Sequence, residues 1–132
     1  MRYYTGIYET EEVAPLYKEW TGKDMNYDLL PLLNTFFIGA REENNLIGLV
    51  HLVIVNDPFW NLIWGRIDTI YVKEGYRRQG IGRELIKVTI QQATLFGCSF
   101  IRLDTEYGND IAQAFYKSLG FTKDYSYCWK IK

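Results

Sequence analysis

The stretch from Ile67 to Leu85, IDTIYVKEGYRRQGIGREL, holds residues that could bind an anion. Its first part reads as a strand, and Gly80 and Gly82 stand in the turn that opens a predicted helix. Glycine lets the backbone approach a ligand closely, and the first N–H groups of a helix have no intrahelical acceptor. Positive charge is added by three arginines, Arg77, Arg78 and Arg83. The stretch therefore predicts a phosphate-binding turn at a helix N-terminus.

Two better-known phosphate loops are excluded by the residues around this turn. A P-loop requires Gly-Lys followed by Ser or Thr, and the sequence has no such run. A Rossmann fingerprint would place Gly or Ala where Leu85 stands, and it would open the first βαβ unit of a parallel sheet. The structural alternative is a glycine turn that leads into a basic surface helix and binds nothing.

The stretch resembles the acyl-CoA-binding signature of the GNAT family of N-acetyltransferases. The pattern Arg77-x-x-Gly80-x-Gly82 follows directly after a strand that ends Ile70-Tyr71-Val72. A later motif of that family is matched in order and separation by Leu103-Asp104, Asn109, Ala112, Phe115-Tyr116-Lys117 and Leu119-Gly120-Phe121. The resemblance covers about residues 67 to 121. Two motifs at the right separation are far more specific than either alone.

The resemblance implies a fold and a cosubstrate. The expected fold is one α/β domain over residues 1–132, with a mixed, mostly antiparallel sheet of about six or seven strands. About four helices would flank it, and its central parallel strands would be splayed. Acetyl-CoA would enter that gap, flanked by Ile70–Val72 and Ile101–Leu103, and would acetylate an amine without a metal.

The resemblance also implies roles for individual residues. The backbone of Ile70 to Val72 would hold the pantetheine arm, and the amides of Gln79 to Gly82 would cradle the pyrophosphate. Asn109 and Tyr116 would lie beside the pantetheine and the thioester. The expected cofactor-binding residues are Ile70, Tyr71, Val72, Arg77, Arg78, Gln79, Gly80, Ile81, Gly82, Arg83, Asn109 and Tyr116.

Two residues are candidates for proton transfer. An amine with a pKa near ~10.4 is largely protonated at neutral pH, and the departing thiolate also needs a proton. Tyr116 is the expected general acid by the resemblance, with core packing on its helix stripe as the alternative. Asp68 stands where many members carry glutamate, and it is the candidate base, acting through water. An ion pair with Arg66 is an equal alternative for Asp68.

His51 is the single histidine, and its ordinary pKa suits proton transfer near neutral pH. It shares a predicted strand face with Leu49, Val53 and Val55. That position favours a hydrogen-bonded strand histidine over a catalytic group.

The acceptor and the alternatives to catalysis stay open. Aromatic and acidic residues in the expected acceptor segments would suit a cationic amine, although they could equally pack the domain. They are Tyr8, Trp20, Tyr27, Phe59, Trp60, Trp64, Tyr107, Tyr125, Tyr127, Glu9, Asp24, Asp28, Asp57 and Glu106. A small-molecule amine, a protein N-terminus and a lysine are all possible acceptors. The competing functions are a non-catalytic acyl-CoA-binding or sensing module and a structural domain with a vestigial motif.

The elements that must position these residues follow from periodicity and turn signals. Predicted strands cover residues 3–8, 35–41, 46–55, 61–73, 100–105 and 125–132. Predicted helices start at Thr10, at about Tyr27, at Ile81 and after Asp110, the last with a capping box to Gln113. Gly97 and Gly120 are expected to end the third and fourth helices.

Composition limits the partners. Fifteen basic and sixteen acidic residues give a formal charge of −1, which disfavours nucleic-acid binding. No signal peptide or membrane span is evident, so a cytoplasmic location without a membrane partner is expected. Cys98 and Cys128 are expected to be reduced thiols, and no Cys/His spacing predicts a metal. A homodimer formed through an edge strand is possible.

Overall fold

The computed structural model describes residues 4–25, 34–105, 108–124 and 127–131. Its elements in chain order are β1 Tyr4–Tyr8, α1 Thr10–Thr21, β2 Thr35–Glu42, β3 Asn45–Asp57, β4 Leu62–Val72, α2 Ile81–Leu95, β5 Ile101–Leu103 and α3 Asp110–Ser118. None of the helices within these ranges is long and apolar enough to cross a membrane.

The five strands form one sheet in the order β1-β2-β3-β4-β5. The first four strands pair antiparallel, with short turns between β2 and β3 and between β3 and β4. β5 pairs parallel to β4, since α2 carries the chain back across the sheet between them. The predicted mixed, mostly antiparallel α/β sheet is confirmed, with five strands and three helices in the described ranges. The predicted helix near Tyr27 lies outside those ranges.

Two clusters of buried side chains lie on opposite faces of the sheet. Val50, Leu52 and Ile54 of β3 pack with α2 in one cluster, which we call the α2 face. Leu49 packs in the other cluster with Val13 and Leu16 of α1, which we call the α1 face. The alternation along β3 follows from the pleat, because successive strand side chains point to opposite sides.

The predicted final strand is wrong for residues 127–131, which form no strand in the structure. Its alternating side chains, Tyr127, Trp129 and Ile131, are about nine-tenths exposed or more. Alternation specifies which residues would share a face, but a strand also needs a neighbouring strand to pair with.

Helical periodicity predicts that α2 buries Ile90 and Leu95 and that α3 buries Ile111, and the structure corrects both faces. On α2, Thr89 is fully buried, while Ile90 and Leu95 are exposed. Thr89 can be buried because its hydroxyl donates a 2.8 Å hydrogen bond to the carbonyl of Leu85, four residues earlier. On α3, Ile111 is exposed, because it lies one position off the stripe that starts at Ala112.

The caps of two helices also differ from prediction by one residue. Glu9, rather than Thr10, precedes α1, and its N–H donates to Glu12 Oε1 at 3.0 Å. Asn109, rather than Asp110, is the cap of α3. Gly97 and Gly120 have φ angles of 85° and 103°, so both helices end in left-handed glycines as predicted.

Candidate active site

The turn between β4 and α2 presents backbone donors at a helix start. Gly80 is the residue before α2 and has φ 82° and ψ 6°, a left-handed conformation that suits glycine. No side chain caps the helix there. The N–H groups of Ile81, Gly82 and Arg83 in the first turn therefore have no intrahelical acceptor.

A groove of about 340 Å³ adjoins this helix start, so a ligand can reach the turn. It is lined by Thr5, Ala40, Gln79, Gly80, Ile81 and Glu84. A larger groove of about 790 Å³ lies between α1, β1 and the β2–β3 turn. Its lining includes Lys73 and Glu19, which form a 3.0 Å ion pair with each other. Because Lys73 in the larger groove is already paired with Glu19, we take the uncapped helix start beside the smaller groove as the candidate anion site.

The three predicted arginines have different local roles. The Nε atom of Arg77 donates to the Val72 carbonyl at 2.8 Å, which braces the turn against the end of β4. Arg83 donates to Ser118 Oγ at 3.1 Å and so joins α2 to the last turn of α3. Arg78 is exposed, has φ 63°, and makes no hydrogen bond or ion pair within the described residues. Its guanidinium is thus available to an anion.

The parallel pair β4–β5 opens into a gap. Its ladder pairs Gly65 with Ile101, Arg66 with Arg102 and Ile67 with Leu103, and then β5 ends. β4 continues to Val72, paired with β3 on one side only within the described residues. The backbone of Ile70, Tyr71 and Val72 is therefore open on the side away from β3, where an extended ligand could pair with it. The predicted splayed parallel strands correspond to this gap.

A β-bulge lies where the gap opens. His51 of β3 pairs with Thr69, whereas the next residue, Leu52, pairs with Ile67. Asp68 is the extra residue of β4 and has no partner on β3. Bulges of this kind change the direction of a strand and of its side chains.

Helix α3 brings the second sequence motif against the first. A Cβ atom added to Gly82 would lie 3.5 Å from Phe115 Cζ, so α3 packs on the first turn of α2. Asn109 Oδ1 accepts from the Ala112 N–H at 3.2 Å and caps α3. Its side-chain NH₂ makes no hydrogen bond within the described residues.

Tyr116 lies on α3 next to Phe115 and is half-buried. Its ring centroid is 5.4 Å from that of Phe115 and 5.8 Å from that of Phe121. Burial raises the pKa of Tyr116 above its ordinary value, so its phenol is neutral at physiological pH. The hydroxyl makes no hydrogen bond within the described part of the chain, and it can therefore donate to a ligand.

A polar cluster on the α1 face contains Asp68 and His51. Arg66 binds both oxygens of Asp68, with Nε–Oδ1 at 2.6 Å and Nη2–Oδ2 at 3.1 Å. Thr35 Oγ1 forms a hydrogen bond with His51 Nε2, and the imidazole stacks on Phe37 with centroids 5.0 Å apart. The predicted strand histidine and the alternative Arg66–Asp68 pair are both present in the structure. Thr35, sixteen positions or more from the other polar members, was not predicted, because contacts between strands leave no local signal.

Burial lowers the pKa of His51, and the charge of Arg66 lowers it further, while Asp68 opposes both effects. The imidazole is therefore neutral at physiological pH. A neutral imidazole can accept a proton, whereas a protonated one cannot.

The predicted acceptor residues that the structure describes make separate local contacts. Trp20 stacks on Tyr71 at 4.3 Å and Trp64 on Phe100 at 5.5 Å. Phe59 and Trp60 form an exposed edge-to-face pair, and their N–H groups are held by Asp57 Oδ1. Asp24 pairs with Lys18, and Glu9 precedes α1. Tyr27, Asp28, Glu106, Tyr107 and Tyr125 lie outside the described residues.

No group of three His, Cys, Asp or Glu residues able to hold a metal occurs in the described ranges. Both cysteines are free thiols, with Cys128 exposed and Cys98 partly buried.

Comparison with known proteins identifies relatives of this chain. The sequence model of the Acetyltransferase (GNAT) family matches residues 2–121. N-acetyltransferase 8 from Homo sapiens is 31% identical over 100 residues, which are 76% of this chain and 44% of that protein. The chain spans half or less of the length of the curated relatives it matches.

Solved structures show the same fold over nearly the whole chain. Ribosomal-protein-alanine N-acetyltransferase from Brucella melitensis biovar Abortus 2308 superposes with a TM-score of 0.81 at 24% identity, covering 100% of this chain and 99% of that one. An aminoglycoside N-acetyltransferase in complex with CoA gives a TM-score of 0.78 at 20% identity, covering 98% of each chain.

Proposed function

The chain belongs to the Acetyltransferase (GNAT) family, and we propose on this basis that it transfers an acetyl group from acetyl-CoA to a primary amine. The observation that carries the proposal is the pairing of an uncapped helix start at Gly80 with the open β4 edge from Ile70 to Val72. The first can hold a diphosphate and the second an extended pantetheine arm. One ligand that carries both groups is an acyl-CoA.

The donor site follows from these two features. The N–H groups of Ile81, Gly82 and Arg83 bind the pyrophosphate, and Arg78 adds an unpaired positive charge beside it. Arg77 holds the turn to Val72 and keeps the donors in place. The backbone of Ile70 to Val72 pairs with the amide groups of pantetheine along the open edge of β4.

The reaction needs help at two atoms of the thioester. Negative charge develops on the carbonyl oxygen, and backbone N–H groups of the gap can stabilise it. The sulfur leaves as a thiolate, and in this proposal the Tyr116 hydroxyl donates to it. A phenol has an ordinary pKa of ~10 and a thiol has one of ~8.5. Burial raises the Tyr116 pKa further, so its main effect is a hydrogen bond to the developing thiolate.

The acceptor is a primary amine of a small molecule or a protein N-terminus or lysine. The family relatives support this breadth, since one neighbour is named for ribosomal-protein alanine and another for aminoglycosides. His51 and the Arg66–Asp68 pair lie on the α1 face, and the amine proton is collected there in this proposal. The acceptor therefore approaches from the α1 face, while Tyr116 acts from α3 on the α2 face.

Calorimetry tests the donor site first. Purified protein is titrated with acetyl-CoA and with CoA that lacks the 3′-phosphate. Binding of acetyl-CoA supports the site, and the difference between the ligands measures how far basic residues recognise the ribose phosphate. Absence of binding at millimolar ligand would overturn the proposal. Thiol release across a panel of amines then tests turnover, and binding without turnover would indicate a sensing module instead.

A further inference from the structure

We propose that His51 receives the proton of the acceptor ammonium through water, and that the Arg66–Asp68 ion pair positions this step rather than serving as the base. The proposal rests on the acetyl-transfer function. It concerns three side chains on one face of the sheet, next to the bulge at the mouth of the gap.

Asp68 is poorly suited to accept the proton because both its oxygens are occupied. Arg66 donates to Oδ1 at 2.6 Å and to Oδ2 at 3.1 Å, a two-point contact between opposite charges. Protonation of either oxygen would weaken one of these charge-assisted hydrogen bonds. The guanidinium stays charged throughout, so it holds this two-point contact with the carboxylate.

His51 stands at the strand level where the gap begins. The last β4–β5 pair is Ile67 with Leu103, and His51 pairs with Thr69, just past the bulge. Arg66 lies opposite Val53, which is on the same face of β3 as His51. A thioester in the gap lies on the far side of β4 from the imidazole, so the proton passes to His51 through water over the α1 face of β4.

The imidazole is held in one orientation. Thr35 Oγ1 bonds Nε2 from β2, and the Phe37 ring stacks on the imidazole plane. When Nε2 carries hydrogen and donates to Thr35, Nδ1 holds the lone pair that accepts a proton. Nδ1 makes no hydrogen bond within the described residues.

Within the part of the chain that the structure describes, the charged groups that act on His51 are Asp68 and Arg66, both from β4. Its β2 neighbours, Thr35 and Phe37, are uncharged, as are Leu49 and Val53 on its own strand face. The imidazole starts neutral because burial and Arg66 lower its pKa. The carboxylate of Asp68 stabilises the imidazolium once the proton has arrived.

The step balances in atoms and charge. The ammonium gives one proton to His51, and the nitrogen lone pair then attacks the thioester carbon. The C–N bond forms and the C–S bond breaks, so the sulfur leaves with its electron pair. The nitrogen then loses a second proton, and the thiolate gains one proton, so these two changes cancel in the overall balance. His51 finally releases its proton to solvent, so each turnover yields one amide, one CoA thiol and one proton.

The test uses the fact that His51 is the sole histidine of the sequence. In protein without a histidine tag, one set of imidazole signals is expected, and it belongs to His51. An NMR titration of these signals measures the pKa of His51 without any activity measurement. We expect a wild-type midpoint below the ordinary value. Asp68→Asn removes the charge that favours the imidazolium and should lower the midpoint. Arg66→Gln removes the charge that opposes the imidazolium and should raise it.

The pH dependence of kcat/KM for the amine is then measured in the same variants. Activity should fall below the His51 pKa, because the base is then protonated, and this acid limb should move with the NMR midpoint in both variants. His51→Gln should abolish the acid limb of the pH profile, and it should lower kcat by about 10²-fold or more. Its acetyl-CoA binding by calorimetry should match the wild type, which shows that the variant is folded.

The outcomes separate this inference from the proposed function. A wild-type protein that acetylates no amine would overturn both. An active wild type whose acid limb stays in place while the NMR midpoints of the variants move would overturn the role of His51 alone. A His51→Gln variant with a retained limb and near-normal kcat would do the same.

Discussion

The Nε atom of Arg77 donates a 2.8 Å hydrogen bond to the carbonyl oxygen of Val72, the last residue of β4. The Arg77 guanidinium also lies 5.7 Å from the ring centroid of Tyr71, and that ring stacks on Trp20 of α1. One arginine side chain therefore joins the glycine turn to the strand that borders the gap. The turn and the open strand edge, which bind different parts of the donor in our proposal, are held as one unit.

This bond predicts that Arg77 and Arg78 contribute unequally to donor binding. Arg77→Gln and Arg78→Gln remove the same charge, but only the first also releases the turn from Val72. We expect Arg77→Gln to weaken acetyl-CoA binding by about 10- to 100-fold, as for a lost charged hydrogen bond. Arg78→Gln should cost about fivefold or less, as for an exposed charge. Calorimetry at fixed salt measures both, and equal losses would contradict a bracing role for Arg77.

Tyr116→Phe separates binding from chemistry. The phenylalanine keeps the ring contacts with Phe115 and Phe121 and removes only the hydroxyl. We expect kcat to fall by about 10²-fold or more, since a hydrogen bond to charge that develops in the transition state is worth that much. The acetyl-CoA dissociation constant should change by less than about twofold, because the hydroxyl acts on the leaving sulfur. An unchanged kcat would show that Tyr116 contributes to packing and not to the reaction.

Gly80→Ala and Gly82→Ala should change stability in opposite directions. Gly80 has φ 82°, and although no atom would crowd an added Cβ, an alanine there is strained by about 1 kcal/mol or more. Gly82 lies within α2, where an added Cβ would make an ordinary contact 3.5 Å from Phe115. Alanine there should gain up to about 1 kcal/mol from helix propensity. Urea unfolding gives both values, and a stable Gly80→Ala protein would contradict the left-handed turn.

The features predicted correctly from the sequence are those with local signals. The strand-turn-helix from Ile67 to Leu85 and the left-handed Gly97 and Gly120 depend on residues close in sequence, and the structure contains them. The Thr35–His51 hydrogen bond joins two strands, so the sequence does not reveal it. The prediction of a final strand is wrong because strand pairing also depends on distant residues. Residues 127–131 alternate as a strand does, but they pair with no neighbouring strand in the described ranges.

The two cysteines should differ in reactivity toward a thiol reagent. Cys128 is exposed, whereas partial burial of Cys98 raises the pKa of its thiol and lowers its thiolate fraction. We expect one equivalent of a chromogenic disulfide reagent to react rapidly and the second slowly, with Cys128→Ser removing the fast phase. Two fast equivalents would contradict the burial of Cys98. The fast phase must be subtracted when thiol release is used to measure acetyl transfer.

Gly6 and Gly39 pair directly across β1 and β2, yet alanine should be tolerated at only one of them. An added Cβ at Gly39 would lie 2.7 Å from both Leu46 Cδ1 and Tyr8 Cδ2, so the Tyr8 ring would have to move. Overpacking of this kind typically costs about 1–3 kcal/mol. At Gly6 no atom lies within 4 Å of an added Cβ, and alanine should gain about 0.5–1 kcal/mol by restricting the unfolded chain. Urea unfolding of the two variants measures the difference, and equal stabilities would show that Tyr8 does not pack over Gly39 in solution.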